Sequence, residues 1–122
     1  METCPFCAME EKAYHETEYF YALFDGYPVS KGHTLIIPKR HIETYFDLDP
    51  EEAGDLHHII MTIKKRLDQK FGPDGYNIGI NNGAAAGQTV FHLHVHIIPR
   101  YEGDMNDPRG GVRGVIPSKR IY

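Results

Sequence analysis

Apolar positions along this chain fall into three periods. Glu18–Phe24 is aromatic and β-prone, and it runs into Asp25-Gly26-Tyr27-Pro28, whose glycine and proline stop a strand and start a loop. Thr34–Pro38 is short, β-branched and continuous, bounded by Gly32 and Pro38, which predicts a central strand buried on both faces. At Asp49 the period changes. Asp49 suits an N-cap, Pro50 the first helical position and Glu52 the acid of a capping box. Ala53, Leu56, Ile59 or Ile60, Ile63 and Leu67 then recur every three or four residues, with Lys64, Lys65 and Arg66 on or near the outer face. One amphipathic helix is predicted to about Phe71, where Gly72-Pro73 ends it. Asp74-Gly75 turns the chain into Tyr76–Asn81, in which Ile78 and Ile80 alternate with small or polar residues. Asn82–Gly87 reads as a flexible loop and Thr89–Pro99 as a long strand. Gly103–Pro117 reads as a surface loop, tinted basic by Arg109, Arg113, Lys119 and Arg120. Strands, one long helix and strands again favour an α+β domain with an antiparallel sheet over a doubly wound fold.

At 122 residues the chain has the size of one domain, taken here as 1–122, with 102–122 as a loop-like C-terminal segment. It is 41% hydrophobic and 25% charged, which suits a folded protein and excludes a disordered tail. Seventeen acidic against 13 basic residues give a net charge of −4, which argues against a general binder of nucleic-acid polymers, since phosphate neutralisation needs a basic surface. No apolar run approaches the roughly 20 residues of a membrane helix, and Met1-Glu2-Thr3 does not begin a signal peptide. Two cysteines only three apart, Cys4 and Cys7, are too few for a disulfide framework, so a reducing cytoplasm is the expected location. Histidine is the outlier, with eight copies, three of them within five residues.

His92-Leu93-His94-Val95-His96-Ile97-Ile98 is the most informative stretch. In a strand, residues two apart share a face, so the imidazoles form a row while Leu93, Val95 and Ile97 anchor the other side. At about 3.3 Å per residue the outer pair lie roughly 13 Å apart, whereas zinc sits only about 2.0–2.1 Å from an imidazole nitrogen. A division of labour is therefore easier than one shared metal. Cys4-Pro5-Phe6-Cys7 is a two-cysteine knuckle needing two more nitrogens for a tetrahedral zinc site, with His92 and His41 as candidates. That leaves His94 and His96 for chemistry. A neutral imidazole is a nucleophile through one nitrogen when the other holds its proton in a fixed hydrogen bond. Phosphorus is the expected electrophile, because Asn81–Thr89 offers small residues, amides and a hydroxyl suited to an oxyanion.

His92–Ile98 matches in full the His-φ-His-φ-His-φ-φ signature (φ apolar) of the histidine triad family. Gly32–His41 and Gly87-Gln88-Thr89-Val90 resemble that family's other characteristic segments in order and spacing. The resemblance covers about residues 4–101. It implies a nucleotide hydrolase or transferase working through a covalent nucleotidyl-histidine, with His94 similar to the nucleophile and His96 and His33 to its phosphate-binding companions. It points to Asn81, Gln88 and Thr89 as phosphate or leaving-group contacts, to Asp25 as the acid on the ribose hydroxyls, and to Cys4, Cys7, His41 and His92 as ligands of a structural zinc. The implied fold is a five-stranded antiparallel sheet with one long and one short helix, extended by homodimerisation. The implied partner is a purine nucleotide or dinucleoside polyphosphate.

The third triad position is His96 rather than glutamine, which resembles the hydrolase side of the superfamily. The tail lacks the tryptophan segment of the phosphoramidase branch, and Arg109 and Arg113 are candidates to hold extra phosphates. Alternatives of other classes are a nucleotide-binding regulatory protein with negligible turnover, a nucleotidyl transferase or phosphorylase using phosphate as acceptor, and a hydrolase with catalytic zinc on the triad. His15, His57 and His58 match nothing in the signature and read as surface residues.

Overall fold

The structure, a computed structural model, describes residues 4–122; the Met1-Glu2-Thr3 start lies outside them. Five strands, β1 (His15–Glu16), β2 (Phe20–Phe24), β3 (Thr34–Pro38), β4 (Gly75–Ile80) and β5 (Val95–Arg100), form an antiparallel sheet in the order β1-β2-β3-β5-β4. One α-helix, α1 (Pro50–Phe71), crosses it, so the α+β expectation holds. Where a short helix was expected, the described residues carry single 3-10 turns instead, such as Glu10–Lys12 and Tyr45–Asp47. None of the described helices is long and apolar enough to cross a membrane.

α1 begins and ends where its capping chemistry directs. Asp49 accepts the Glu52 N–H at 2.8 Å, Glu52 reaches back to the Asp49 N–H at 3.1 Å, and Gly72 closes the last turn in the left-handed region. Leu56, Ile59, Ile63 and Leu67 form its buried stripe and pack on Phe20, Ala22, Ile36, Val95 and Ile97. The opposite face of the sheet buries Leu23, Leu35 and Ile37 under Phe6 and Met9 of the N-terminal segment. Covered on both sides, β3 has no exposed position, which is why its sequence is continuous rather than alternating.

Two boundaries differ from the sequence reading. The strand expected over Glu18–Phe24 is a hairpin: Thr17–Tyr19 turns between β1 and β2, and Asp55 of α1 accepts from the Thr17 hydroxyl at 2.6 Å and the Tyr19 N–H at 3.0 Å. The strand expected over Thr89–Pro99 joins the ladder only at Val95, because Leu93 N–H is spent on Ile42 O at 2.7 Å. The expected loop Asn82–Gly87 contains a 3-10 turn at Ala84–Ala86, and Gly103–Pro117 contains another at Gly111–Val115.

Candidate active site

The three histidines of the signature do not share one environment. His92 is fully buried before β5, whereas His94 and His96 are half-buried on the sheet face opposite α1. His92 Nε2–H donates to Pro38 O at 2.8 Å, so its Nδ1 is bare and faces Cys4 Sγ at 3.3 Å and Cys7 Sγ at 3.5 Å. His41 Nδ1 lies 3.1 Å from Cys7 Sγ. One ligand atom from each of Cys4, Cys7, His41 and His92 falls within 4.8 Å of the others. Ligands at zinc-like bond lengths on a tetrahedron stand about 3.6 Å apart (sulfur to nitrogen), close to the 3.1 to 3.5 Å of the three sulfur–nitrogen contacts. Burial, with His41 and His94 nearby, pushes His92 below the ordinary imidazole value despite the Pro38 bond, which favours the neutral ligand form.

The ligands come from three separate segments of the chain, each anchored in its own way. His41 follows Arg40, whose Nε and Nη2 donate to buried Glu52 at 3.1 and 2.7 Å, tying the loop after β3 to the start of α1. Arg40 holds the Glu52 carboxyl below its usual range, so the pair stays charged.

On the open face, His94 Nδ1–H donates to the His92 carbonyl at 2.9 Å, which leaves Nε2 of the neutral ring with its lone pair. A second chain of bonds fixes its neighbour. The Val29 N–H donates to His33 Nδ1 at 3.0 Å, so neutral His33 carries its proton on Nε2 and gives it to His96 Nδ1 at 3.0 Å. His96 therefore keeps its proton on Nε2. Asp25 Oδ2 stands 3.4 Å from His33 Nε2, and its other oxygen accepts the Tyr27 N–H at 2.9 Å. Burial, then His94 and His33, depress His96 to about 4 against the opposing pull of Asp25. His33 is lowered by burial, also against Asp25. The result is a neutral His96 that presents an N–H beside the His94 ring, whose Nδ1 is already engaged by the His92 carbonyl.

Asp25, His33 and His96 also lie within 4.8 Å of one another, the spacing of a metal cluster. Their hydrogen bonds argue otherwise. A metal on His33 Nε2 would force the proton onto Nδ1, against the Val29 N–H already donated there. A metal ion held by Asp25, His33 and His96 together is therefore disfavoured.

The loop before the triad is shaped by Gln88. Its carboxamide oxygen accepts the Gly83 N–H at 2.7 Å, and its NH2 donates to Glu43 O at 2.7 Å and Val90 O at 3.2 Å. Gly83 and Gly87, both at φ 94, bracket the 3-10 turn, a conformation that side chains with a Cβ rarely adopt. Gln88 is thus buried loop scaffolding, while Asn81 and Thr89 remain exposed. Arg109 and Arg113 are not brought to the histidines: Arg109 pairs with Asp107 at 2.9 Å, and Arg113 bonds Lys119 O at 3.1 Å and lies over the Tyr122 ring. A groove of about 680 Å³ lies beyond the C-terminal side of the triad in sequence, lined in part by Val29, Ser30, Ile98, Arg100 and Tyr101 and by none of the histidines. Ile98 shares the face of His96 two residues on.

Sequence reasoning missed Phe6. Its ring meets His94 edge-on at 4.9 Å between centroids and His92 at 6.3 Å, and it also covers Leu23, Leu35 and Ile37. An aromatic between two metal-type cysteines was its only signal. The acceptor and donor roles of Pro38 O and Val29 N–H carried no side-chain signal at all.

The HIT domain family model matches residues 8–103. An uncharacterized HIT-like protein of Methanocaldococcus jannaschii is 44% identical over 108 residues, covering 83% of this chain and 81% of its own. A bis(5'-adenosyl)-triphosphatase of Dictyostelium discoideum is 37% identical over 103 residues, covering 84% and 69%. The crystal structure of a zinc-bound histidine triad family protein from Mycobacterium smegmatis superposes with a TM-score of 0.77 at 37% identity, covering 86% of this chain and 80% of that one.

Proposed function

Because this chain belongs to the histidine triad family, we propose that it is a nucleotide hydrolase that cleaves the phosphoanhydride of an adenylated or dinucleoside polyphosphate substrate through a covalent nucleotidyl-histidine. The observation that carries this reading is the bond from His94 Nδ1–H to the His92 carbonyl, which leaves Nε2 as a nucleophile. In the first step His94 Nε2 bonds to the α-phosphorus and the bond from phosphorus to the leaving oxygen breaks, the electron pair going with the leaving group. In the second a water oxygen bonds to phosphorus, the P–N bond breaks and its electron pair returns to Nε2; the water proton leaves with the nucleoside monophosphate or to solvent.

His96 presents Nε2–H to the oxygen on which charge develops, and it is held there by His33 and the Val29 amide. A neutral imidazole stabilises that oxygen as a hydrogen-bond donor without surrendering a proton. This suits an acidic leaving group, a nucleoside phosphate or a sulfate, better than an amine, which must be protonated to depart. Asp25 is assigned to the ribose hydroxyls, Asn81 and Thr89 to phosphate oxygens, and Gln88 to holding the loop amides in place.

Cys4, Cys7, His41 and His92 are assigned to a structural zinc, in line with their donor chemistry and the zinc-bound relative. When bound, that ion supplies a cross-link between the N-terminal segment, the loop after β3 and the approach to β5. A homodimer that pairs the exposed edge strand β4, where Ile78 is 48% exposed, completes the reading.

The test is rapid-quench mass measurement during turnover of diadenosine triphosphate. Wild type should gain the mass of one adenylyl group and release AMP, and His94→Ala should do neither. Turnover by His94→Ala, or AMP release from wild type with no adduct at any quench time, would overturn the mechanism.

A further inference from the structure

His94 lies outside the sheet ladder, which begins at Val95. What holds it comes from elsewhere, and all but one of its restraints lead to the four-ligand knuckle. Its Nδ1–H is received by the carbonyl of His92, whose ring faces the two cysteines. The next residue, Leu93, is anchored by its N–H to the carbonyl of Ile42, the neighbour of His41. One side of the His94 ring is met by Phe6, which the chain carries between Cys4 and Cys7; another is met by His96 at 5.2 Å between centroids. The four ligands meet one another only through weak thiol–imidazole contacts at 3.1 to 3.5 Å, and among the described residues before β1 the segment that carries the cysteines has one 3-10 turn and no strand, anchored by Phe6 and Met9 packing on Leu23, Leu35 and Ile37.

We propose that this knuckle is the positioning device of the active site: zinc held by Cys4, Cys7, His41 and His92 locks the His94 ring through Phe6 and through the His92–Leu93 backbone, so that metal loading governs whether the nucleophile is aligned. The metal takes no part in the reaction, and Phe6 is a positioning residue. The inference rests on reading His94 as the nucleophile, but its test does not depend on turnover.

The test records the imidazole nitrogens of the uniformly 15N-labelled full chain by NMR, with zinc counted per chain, in three samples: zinc-loaded wild type, wild type stripped by a chelator, and zinc-loaded Phe6→Ala. Loaded wild type should show His94 as a single tautomer with a slowly exchanging Nδ1 proton. Stripping should average its two nitrogens and speed that exchange by about tenfold or more, while the α1 amides keep their shifts. Phe6→Ala should keep one zinc per chain yet reproduce much of the His94 change, with kcat falling more than KM rises; Phe6→Leu should restore part of both. Unchanged His94 signals in stripped, folded wild type and in Phe6→Ala would overturn the proposal. So would a Phe6→Ala effect confined to KM. If stripping unfolds the chain, the Phe6→Ala arm decides by the same criterion. A wild type that hydrolyses no nucleotide but whose His94 signals follow zinc would sink the hydrolase reading and leave this coupling standing.

Discussion

Replacing His33 by alanine isolates the relay that sets the proton on His96. His33 is 3% exposed and makes two bonds in series, accepting from Val29 N–H and donating to His96 Nδ1, each at 3.0 Å. A hydrogen bond between neutral groups contributes about 1 kcal/mol net, so loss of one or both weakens the hold on the productive tautomer by about 1 to 2 kcal/mol. That converts to a fall in kcat of about 5- to 30-fold, with a smaller change in KM, because His33 acts through His96. Removing a buried ring also leaves a cavity costing about 2–3 kcal/mol, or about 10 °C in Tm for a chain of this size. Steady-state hydrolysis of diadenosine triphosphate, run well below the lowered Tm and paired with thermal melts, reads both effects. A folded variant with kcat within about twofold of wild type would show that the relay does not set His96. Inactivity as complete as that of His94→Ala would refute the reasoning from the other side, by giving His33 a direct part in the chemistry.

Acid should weaken the fold through the same residues. His96 titrates at about 4 when folded against 6.5 ordinarily, so the unfolded chain takes up its proton first; this stability is intact above about pH 6.5 and is lost as pH falls toward 4, by about 3 kcal/mol at most. His33, lowered in the same direction, adds to the loss. Urea midpoints should therefore decline between neutral pH and about 4.5, and less so in His96→Gln; a wild-type midpoint that stays level across that range would contradict the burial argument. Cys4→Ser should lose zinc and thermal stability together, since a cation held by these four ligands would cross-link three segments of the chain. Metal analysis and melts on paired samples check this, and wild type that neither carries nor takes up zinc would exclude the metal site.

Local chemistry was legible along the chain wherever a residue and its partner lie within a few positions of each other. Asp49, Pro50 and Glu52 announce the start of α1, Gly72 its end, and the three-to-four spacing of Leu56, Ile59, Ile63 and Leu67 its buried stripe. The unbroken apolar run of β3 announces a strand covered on both faces. The histidine spacing and the knuckle, read with the family signature, named residues that the fold does assemble: Cys4 with His92, Cys7 with His41, and His33 with His96. Strand ends were less legible, because β5 starts where two neighbouring strands can reach it, and Leu93 N–H is claimed by Ile42, 51 positions earlier.

Tertiary structure alone decided which nitrogen of each ring carries a proton. Pro38 O, His92 O and the Val29 N–H set those tautomers, and backbone groups are the same at every position, so no residue type foretells which of them will meet an imidazole. The burial that pushes His96 to about 4 and the seating of Phe6 against His94 are likewise properties of packing between distant segments. The sequence determined which chemical groups are available and the local elements that carry them; the folded chain determined their charge, their orientation and who touches whom.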